Sequence, residues 1–318
     1  MLSKHFKYSI EDFLKLYENS KTDIPKKTLE AFKISLKRIE KVYGHKLEKL
    51  NLVYILKPNE IIKKLKDKNY SFNSIYATLN AIGKLIGLID APLSVYNQIK
   101  IILQDLRKER TNLSIDNIKT IRESSQWIDF DDMVDKVNDE YDNFIKGDIH
   151  FIDYRNFLML SLFILQVPVR IGNYLNLHVI NDEPKDTNFN YLVHNNSTYK
   201  FIFNKFKTSK FTGSQELIVK NDKLINLLDL YFLTYRNDDS KYLFHVLNKP
   251  NREITQQNFS SGLKNITNKL FHKEFSIDII RHSYITSFYK KHPSIREKLT
   301  LASSMNHSIG TQNFYFRK

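Results

Sequence analysis

MNHSIGTQNFYFRK, residues 305–318, places a tyrosine between two phenylalanines. Tyr315 follows His307 by eight positions, and two cations, Arg317 and Lys318, come after it. Frayed termini are normally polar. This one carries Phe314 and Phe316, so the fold is expected to hold it down and to put Tyr315 to use.

Three more stretches share this mixture of apolar context and functional side chain. IDIIRHSYITSF, 277–288, embeds Arg281 and His282 among apolar residues. YRNFLMLSLFILQVPVR, 154–170, is the most apolar segment and ends in Arg170, just after Pro168 and Val169 break its regularity. An arginine there is costly to bury unless an anion pairs with it. FKTSK, 206–210, sets Lys207 near the tip of a predicted hairpin. Taken singly, each has an ordinary reading: a structural ion pair, a solvated lysine, a core histidine. Their order changes that. Two arginines, a lysine and a histidine around one tyrosine make a clamp for a phosphodiester.

Composition agrees with a polyanionic partner. The 318 residues carry 49 Lys+Arg against 35 Asp+Glu, a net charge of +14, which favours nucleic acid. The absence of cysteine excludes disulfides, cysteine-based zinc sites and a thiol nucleophile. MLSKHFKYSIEDF at the N-terminus lacks the apolar run of a signal peptide, and no stretch of eighteen apolar residues exists to span a membrane. An intracellular location, cytoplasm or host nucleus, is expected. Low glycine and proline (8 and 7) favour long helices.

Two domains are expected, 1–111 and 112–318, with a linker near 110–118. In the first, Leu29, Phe32, Leu36, Ile39 and Tyr43 form one face of a helix, while Lys33, Lys37 and Lys41 line another. Ser71 or Asn73 caps a second helix striped by Ile75, Leu79, Ile82 and Ile86, and a third runs over 94–110. The second domain opens with an acidic helical stretch, DFDDMVDKVNDEYDNF, followed by the apolar helix and by a helix from about 172 that turns Leu175 and Leu177 inward. NYLVH (190–194), TYKFIFNKFKTSK (198–210) and QELIV (215–219) read as a three-stranded antiparallel sheet with turns at Asn195-Asn196 and Gly213. Helices then resume to the end. The fold class is mainly α with a small antiparallel sheet.

These residues resemble the tyrosine recombinase (phage integrase) superfamily, whose catalytic fold is shared with type IB topoisomerases. VPVRIGNYLNL resembles the first arginine box and implies a catalytic role for Arg170. FKTSK falls on the β-hairpin lysine and implies Lys207, with Lys205 and Lys210 as alternatives. DIIRHSYIT resembles the second arginine box and implies Arg281. MNHSIGTQNFY resembles the final box and implies His307 and the nucleophile Tyr315. The resemblance covers both halves: a helical core-binding domain that clamps DNA, then a mixed catalytic domain. The chain departs from the pattern at Asn173, where a carboxylate is usual, at Asp278, where a histidine is usual, and in the His-to-Tyr spacing of eight, where nine is usual. The general base is therefore Asp278 or His282.

The resemblance implies DNA cleavage and rejoining through a 3′-phosphotyrosyl intermediate, without ATP, metal or any cofactor, by a homotetramer on double-stranded DNA. A virus or mobile element is the expected source. Lys33, Lys37 and Lys41 then read as phosphate contacts, as do Lys205 and Lys210. Phe314 and Phe316 are expected to anchor the tail, Arg317 and Lys318 to favour the DNA backbone. With three residues after Tyr315 in this sequence, any subunit exchange is expected to use another segment, unless the natural chain runs on past residue 318. The competing readings are a type IB topoisomerase and a catalytically impaired DNA-binding protein of the same fold.

Overall fold

Ser9 caps the helix that follows it by accepting a bond from the Asp12 amide while Asp12 reaches back, a reciprocal cap that satisfies two helix-start donors. The structure is a computed structural model and describes residues 9–20, 24–47, 57–88, 92–115, 117–196, 198–236 and 239–318. The chain divides into two compact units, Met1–Ser114 and Ile115–Lys318.

The first unit holds α1 (Ile10–Asn19), α2 (Lys26–Tyr43), α3 (Pro58–Asp67), α4 (Phe72–Ile86) and most of α5 (Leu93–Ile115). The predicted stripes face inward: Phe32, Leu36 and Ile39 from α2 meet Ile75, Leu79 and Ile82 from α4 in one apolar core. Ser71 caps α4 through the Ser74 amide. The helix expected to end at 110 continues to Ile115, so the first part of the expected linker is helical. Lys37 and Lys41 lie exposed on α2, whereas Lys33 pairs with Glu11 at 3.4 Å.

The second unit begins with α6 (Ile121–Gln126) and α7 (Phe130–Lys146), then α8 (Phe151–Ile164). Residues 156–164 of α8 are all buried, which is what an all-round apolar sequence requires. Helix α8 is the core, with Phe144 of α7 stacked on its Phe157 at 3.8 Å. It stops at Ile164, ahead of Pro168. The one-turn α9 (Ile171–Tyr174) follows Arg170. Here the structure corrects the sequence reading: no helix continues from 172. Asn176 adopts a left-handed φ of 49°, and Leu177 starts a strand.

That strand, β1 (Leu177–Ile180), makes the sheet four-stranded and mixed. It runs parallel to β2 (Asn190–Asn195), and β2, β3 (Thr198–Phe203) and β4 (Gln215–Ile218) form the expected antiparallel part. Between β3 and β4 the chain winds into a helical turn, α10 (Ser209–Thr212), so FKTSK lies on a connecting loop and not on a strand. After α11 (Asp222–Leu230) and a π-turn (Tyr231–Tyr235), a second sheet of β5 (His245–Val246) and β6 (Lys249–Glu253) interrupts the helices, which sequence reading missed. The chain ends with α12 (Gln256–Phe271), α13 (Ile277–Lys290), α14 (Ile295–Ser304) and α15 (Ile309–Asn313). Among the described residues no helix is long and apolar enough to cross a membrane.

Candidate active site

The site is built around one left-handed residue. Asn306, φ 59°, ends the turn after α14, and its main-chain carbonyl accepts from the Arg170 guanidinium at 3.0 Å and from the Thr208 hydroxyl at 3.2 Å. One peptide oxygen thus joins the first arginine turn, the lysine loop and the final motif. A second junction reinforces the first. The buried side chain of Asn190 donates to the carbonyls of Asn173 and Lys205 and accepts from the amides of Asn204 and Lys205, all within 2.7–3.0 Å. Its amide makes four bonds, which tie the Arg170 turn to the lysine loop.

Arg281 comes from the second turn of α13 and is fully buried. It donates to the Pro168 carbonyl at 2.5 Å and to His307 Nδ1 at 3.2 Å, while its Nε has no partner. No carboxylate among the described residues bonds to it. Burial works against its charge, Arg170 adds repulsion, and Tyr315 and Asp278 favour the charged form. Arg170 and Arg281 therefore anchor on consecutive residues, Asn306 and His307.

His307 is 8% exposed, and burial, with the two arginines beside it, pushes its pKa down to about 3. The ring is neutral near pH 7. An arginine only donates, so Nδ1 must carry the lone pair, and the ring proton sits on Nε2. That Nε2–H is buried and without a partner.

Tyr315 stacks on His307 with ring centroids 5.5 Å apart, and the Arg281 guanidinium lies 4.9 Å from its ring centre. Its backbone is gripped at both ends: the amide donates to the Gln312 carbonyl at 2.9 Å, and the carbonyl accepts from His282 Nδ1 at 2.7 Å. His282 Nε2 faces the Arg317 guanidinium at 3.3 Å. Both nitrogens of His282 are thus engaged, one with the Tyr315 carbonyl and the other with Arg317. Burial and the neighbouring Arg317 lower its pKa.

Phe316 anchors the tail as expected, stacking on Tyr289 at 5.5 Å in a small cluster with Ile285, Leu301 and Met305. Phe314 does not; it is 44% exposed. The Arg317 side chain is engaged within the protein, and Lys318 is exposed. Arg317 bonds to Glu123 at 2.8 and 3.1 Å, and the Lys318 amide donates to the Asn117 carbonyl at 2.8 Å.

The structure brings together Arg170, Arg281, His307 and Tyr315. Lys207 is exposed on the loop whose next residue, Thr208, bonds to Asn306, and Lys205 and Lys210 are exposed on either side. Asp278 is exposed one turn before Arg281; its charge is felt by Arg281 and His282, with no bond to Tyr315. Sequence reading missed Asn190, Thr208, Asn306 and Glu123. Only Glu123 left a local mark, as the last residue of a TIRE capping box, and that mark points to the helix start alone.

Neither a protein-family model nor a curated protein sequence matches the chain. Solved structures do. The Tn1549 transposon integrase in complex with a circular-intermediate DNA matches with a TM-score of 0.56 at 13% identity, over 96% of this chain and 95% of that one. The same integrase in complex with transposon right-end DNA matches with a TM-score of 0.56 at 15% identity, over 98% and 96%. XerA recombinase aligns over 97% and 93% at 15% identity, with a TM-score of 0.42. With its helical first unit, its mixed second unit and this likeness over nearly the whole length, the chain has the tyrosine recombinase fold.

Proposed function

We propose that this chain is a DNA strand transferase, a site-specific recombinase or integrase that cleaves and rejoins duplex DNA through a covalent bond to Tyr315. The observation that carries the reading is Arg281. It is a fully buried guanidinium without a bonded carboxylate, beside a second arginine and a neutral histidine whose N–H is unspent. A buried charge left this way is unfavourable to folding, and a phosphate would relieve it.

In this reading the Tyr315 oxygen attacks phosphorus, and the bond to the 5′ oxygen breaks. Lys207 gives that oxygen its proton, and Asp278 takes the proton of the phenol. Arg170 and Arg281 offer forked donors to the non-bridging oxygens, and His307 adds its Nε2–H. Covalent catalysis keeps the phosphodiester energy for religation. Exposed Lys37 and Lys41, with Lys205 and Lys210, supply sequence-independent backbone contacts; Lys33 is partly spent on Glu11. The active assembly is a tetramer on DNA, and the source a mobile element or virus.

The test is a library of nicked duplexes of randomised sequence, in which loss of a short fragment traps the intermediate. Wild type should yield a protein–DNA adduct on a denaturing gel, and Tyr315→Phe none. An adduct that survives Tyr315→Phe would overturn the choice of nucleophile. Binding without any adduct from wild type would reduce the chain to a DNA-binding protein.

A further inference from the structure

We propose that Glu123 is a positioning residue for Tyr315. It would act through Arg317, tying the segment that enters the second unit to the tail that carries the nucleophile. The inference rests on the strand-transfer reading.

All five donors of the Arg317 guanidinium are accounted for. Nε and one Nη2 proton go to Glu123 Oε1 at 3.1 and 2.8 Å, and the other Nη2 proton to His282 at 3.3 Å. Nη1 donates to the carbonyls of Phe314 at 2.6 Å and Phe316 at 3.0 Å, one on each side of the nucleophile. The Arg317 amide is fixed separately, to the Thr286 hydroxyl at 2.9 Å. The guanidinium therefore grips the carbonyls of the residues on either side of Tyr315, and His282 grips the Tyr315 carbonyl between them.

Glu123 fixes the guanidinium in turn. Its Oε2 accepts from the Thr120 amide at 2.8 Å, so the carboxylate is oriented by the start of α6. Its Oε1 is left for Arg317. Burial opposes the charge of Glu123, but the bonds from Arg317 and from the Thr120 amide outweigh it and hold the carboxyl below its usual range. Both side chains are only 13–14% exposed, so salt screens the pair weakly. Two neighbouring contacts strengthen the link: Asn117 accepts from the Lys318 amide, and the Lys119 ammonium bonds to the Lys318 carbonyl at 2.6 Å. Residues 117–123 form a seat for residues 314–318.

Many salt bridges serve stability alone. This one acts on the two residues flanking the attacking side chain. A misplacement of about 1 Å in such a group slows a reaction roughly a hundredfold.

The experiment compares wild type, Glu123→Gln and Arg317→Lys, which keeps the charge and loses the fork. Three quantities are read: single-turnover adduct formation on the nicked library at saturating DNA, DNA affinity, and amide hydrogen exchange of residues 314–318 in free protein. Both variants should form adduct about 10- to 100-fold more slowly with affinity within about twofold, a loss in the chemical step alone. Their tail amides should exchange at least about tenfold faster, with core amides of α8 unchanged. Wild-type adduct rates, unchanged tail exchange, or a loss of affinity equal to the loss of rate would overturn the proposal. If Glu123→Gln does not fold, Arg317→Lys decides by the same readings. A wild type that forms no adduct sinks the strand-transfer reading instead, and tail exchange then decides the clasp alone.

Discussion

In the first unit the buried polar side chains Ser35 and Thr78 bond back to carbonyls of their own helices at 2.8 Å, a local arrangement that leaves nothing open. Around residues 306–312 of the second unit the opposite holds. Both amide atoms of Asn306 and of Gln312, Nε2 of His307 and Nε of Arg281 are buried without partners. Folded proteins pair nearly all such groups, so a cluster of exceptions marks a place selected for something other than stability. The first unit is a packed helical core; in the second, several of the partnerless buried atoms lie where Arg170, Arg281 and Tyr315 meet, and others, such as those of Asn156, Gln166 and His245, lie elsewhere.

That contrast can be broken most severely at Arg281. Arg281→Met should cut adduct formation by about 100- to 1,000-fold or more, since loss of one charged donor to a transition state typically does so. Its melting temperature should stay level or rise, because an apolar side chain of similar length removes a buried charge that lacks an anion. A collapse of the melting temperature would make Arg281 a structural residue like Ser35 and Thr78. Asn190 sharpens the contrast from the other side, as a polar group of the second unit that is saturated. Asn190→Leu leaves two carbonyls and two amides without this partner and should destabilise by roughly 2–6 kcal/mol in urea unfolding, about 1–3 kcal/mol for each of the two buried bonds, to Asn173 and Asn204, the two at Lys205 being only part-buried.

His307 gives the second unit a pH dependence that the first lacks at its core. An unfolded imidazole takes up a proton near pH 6.5, whereas the buried ring resists until about 3. Between those values the unfolded state binds more protons, so this contribution is complete above 6.5 and is lost as pH falls toward 3. His282 shifts in the same direction. For His307 stability should fall by up to about 1.4 kcal/mol per pH unit across that window. His307→Gln should flatten the curve in denaturant titrations at pH 4–7; an unchanged slope would place the ring in solvent.

The smallest effect is expected at Thr208. Thr208→Val removes the hydroxyl bond to Asn306 and should slow cleavage about 3- to 10-fold, with Thr208→Ser near wild type, since a neutral hydrogen bond is worth about 1 kcal/mol. On a substrate whose 5′ leaving oxygen is replaced by sulfur, which departs without a proton, the defect should vanish. A defect that persists there would mean that Thr208 does not act through Lys207.

How much of this was written in the sequence depended on distance along the chain. The Arg170 turn, Arg281, His307 and Tyr315 were legible because each sits in a short run where a charged or hydroxyl-bearing side chain conflicts with apolar neighbours. Asn190, Thr208 and Asn306 were not. Their partners lie 14 to 136 positions away, and nothing in FNYLVHNN or MNHS marks them. The stripes of α2 and α4 came through because an amphipathic period repeats over many residues. Strand β1, four residues long, was hidden by the left-handed Asn176 that follows the preceding helical turn, and α10 lies in the connection of a hairpin whose two strands pair as their residues suggest. Arg317 was visible as a cation, and its partner Glu123 was hidden by the 194 residues between them.

The oxygen that links Arg170 to Thr208 belongs to the peptide group of residue 306. No codon spells that atom, and almost any substitution that keeps the left-handed turn would preserve it. The alignment of the two segments is thus stored in the path of the main chain. Replacing that one amide carbonyl by chemical ligation, and not by mutagenesis, is the way to remove it.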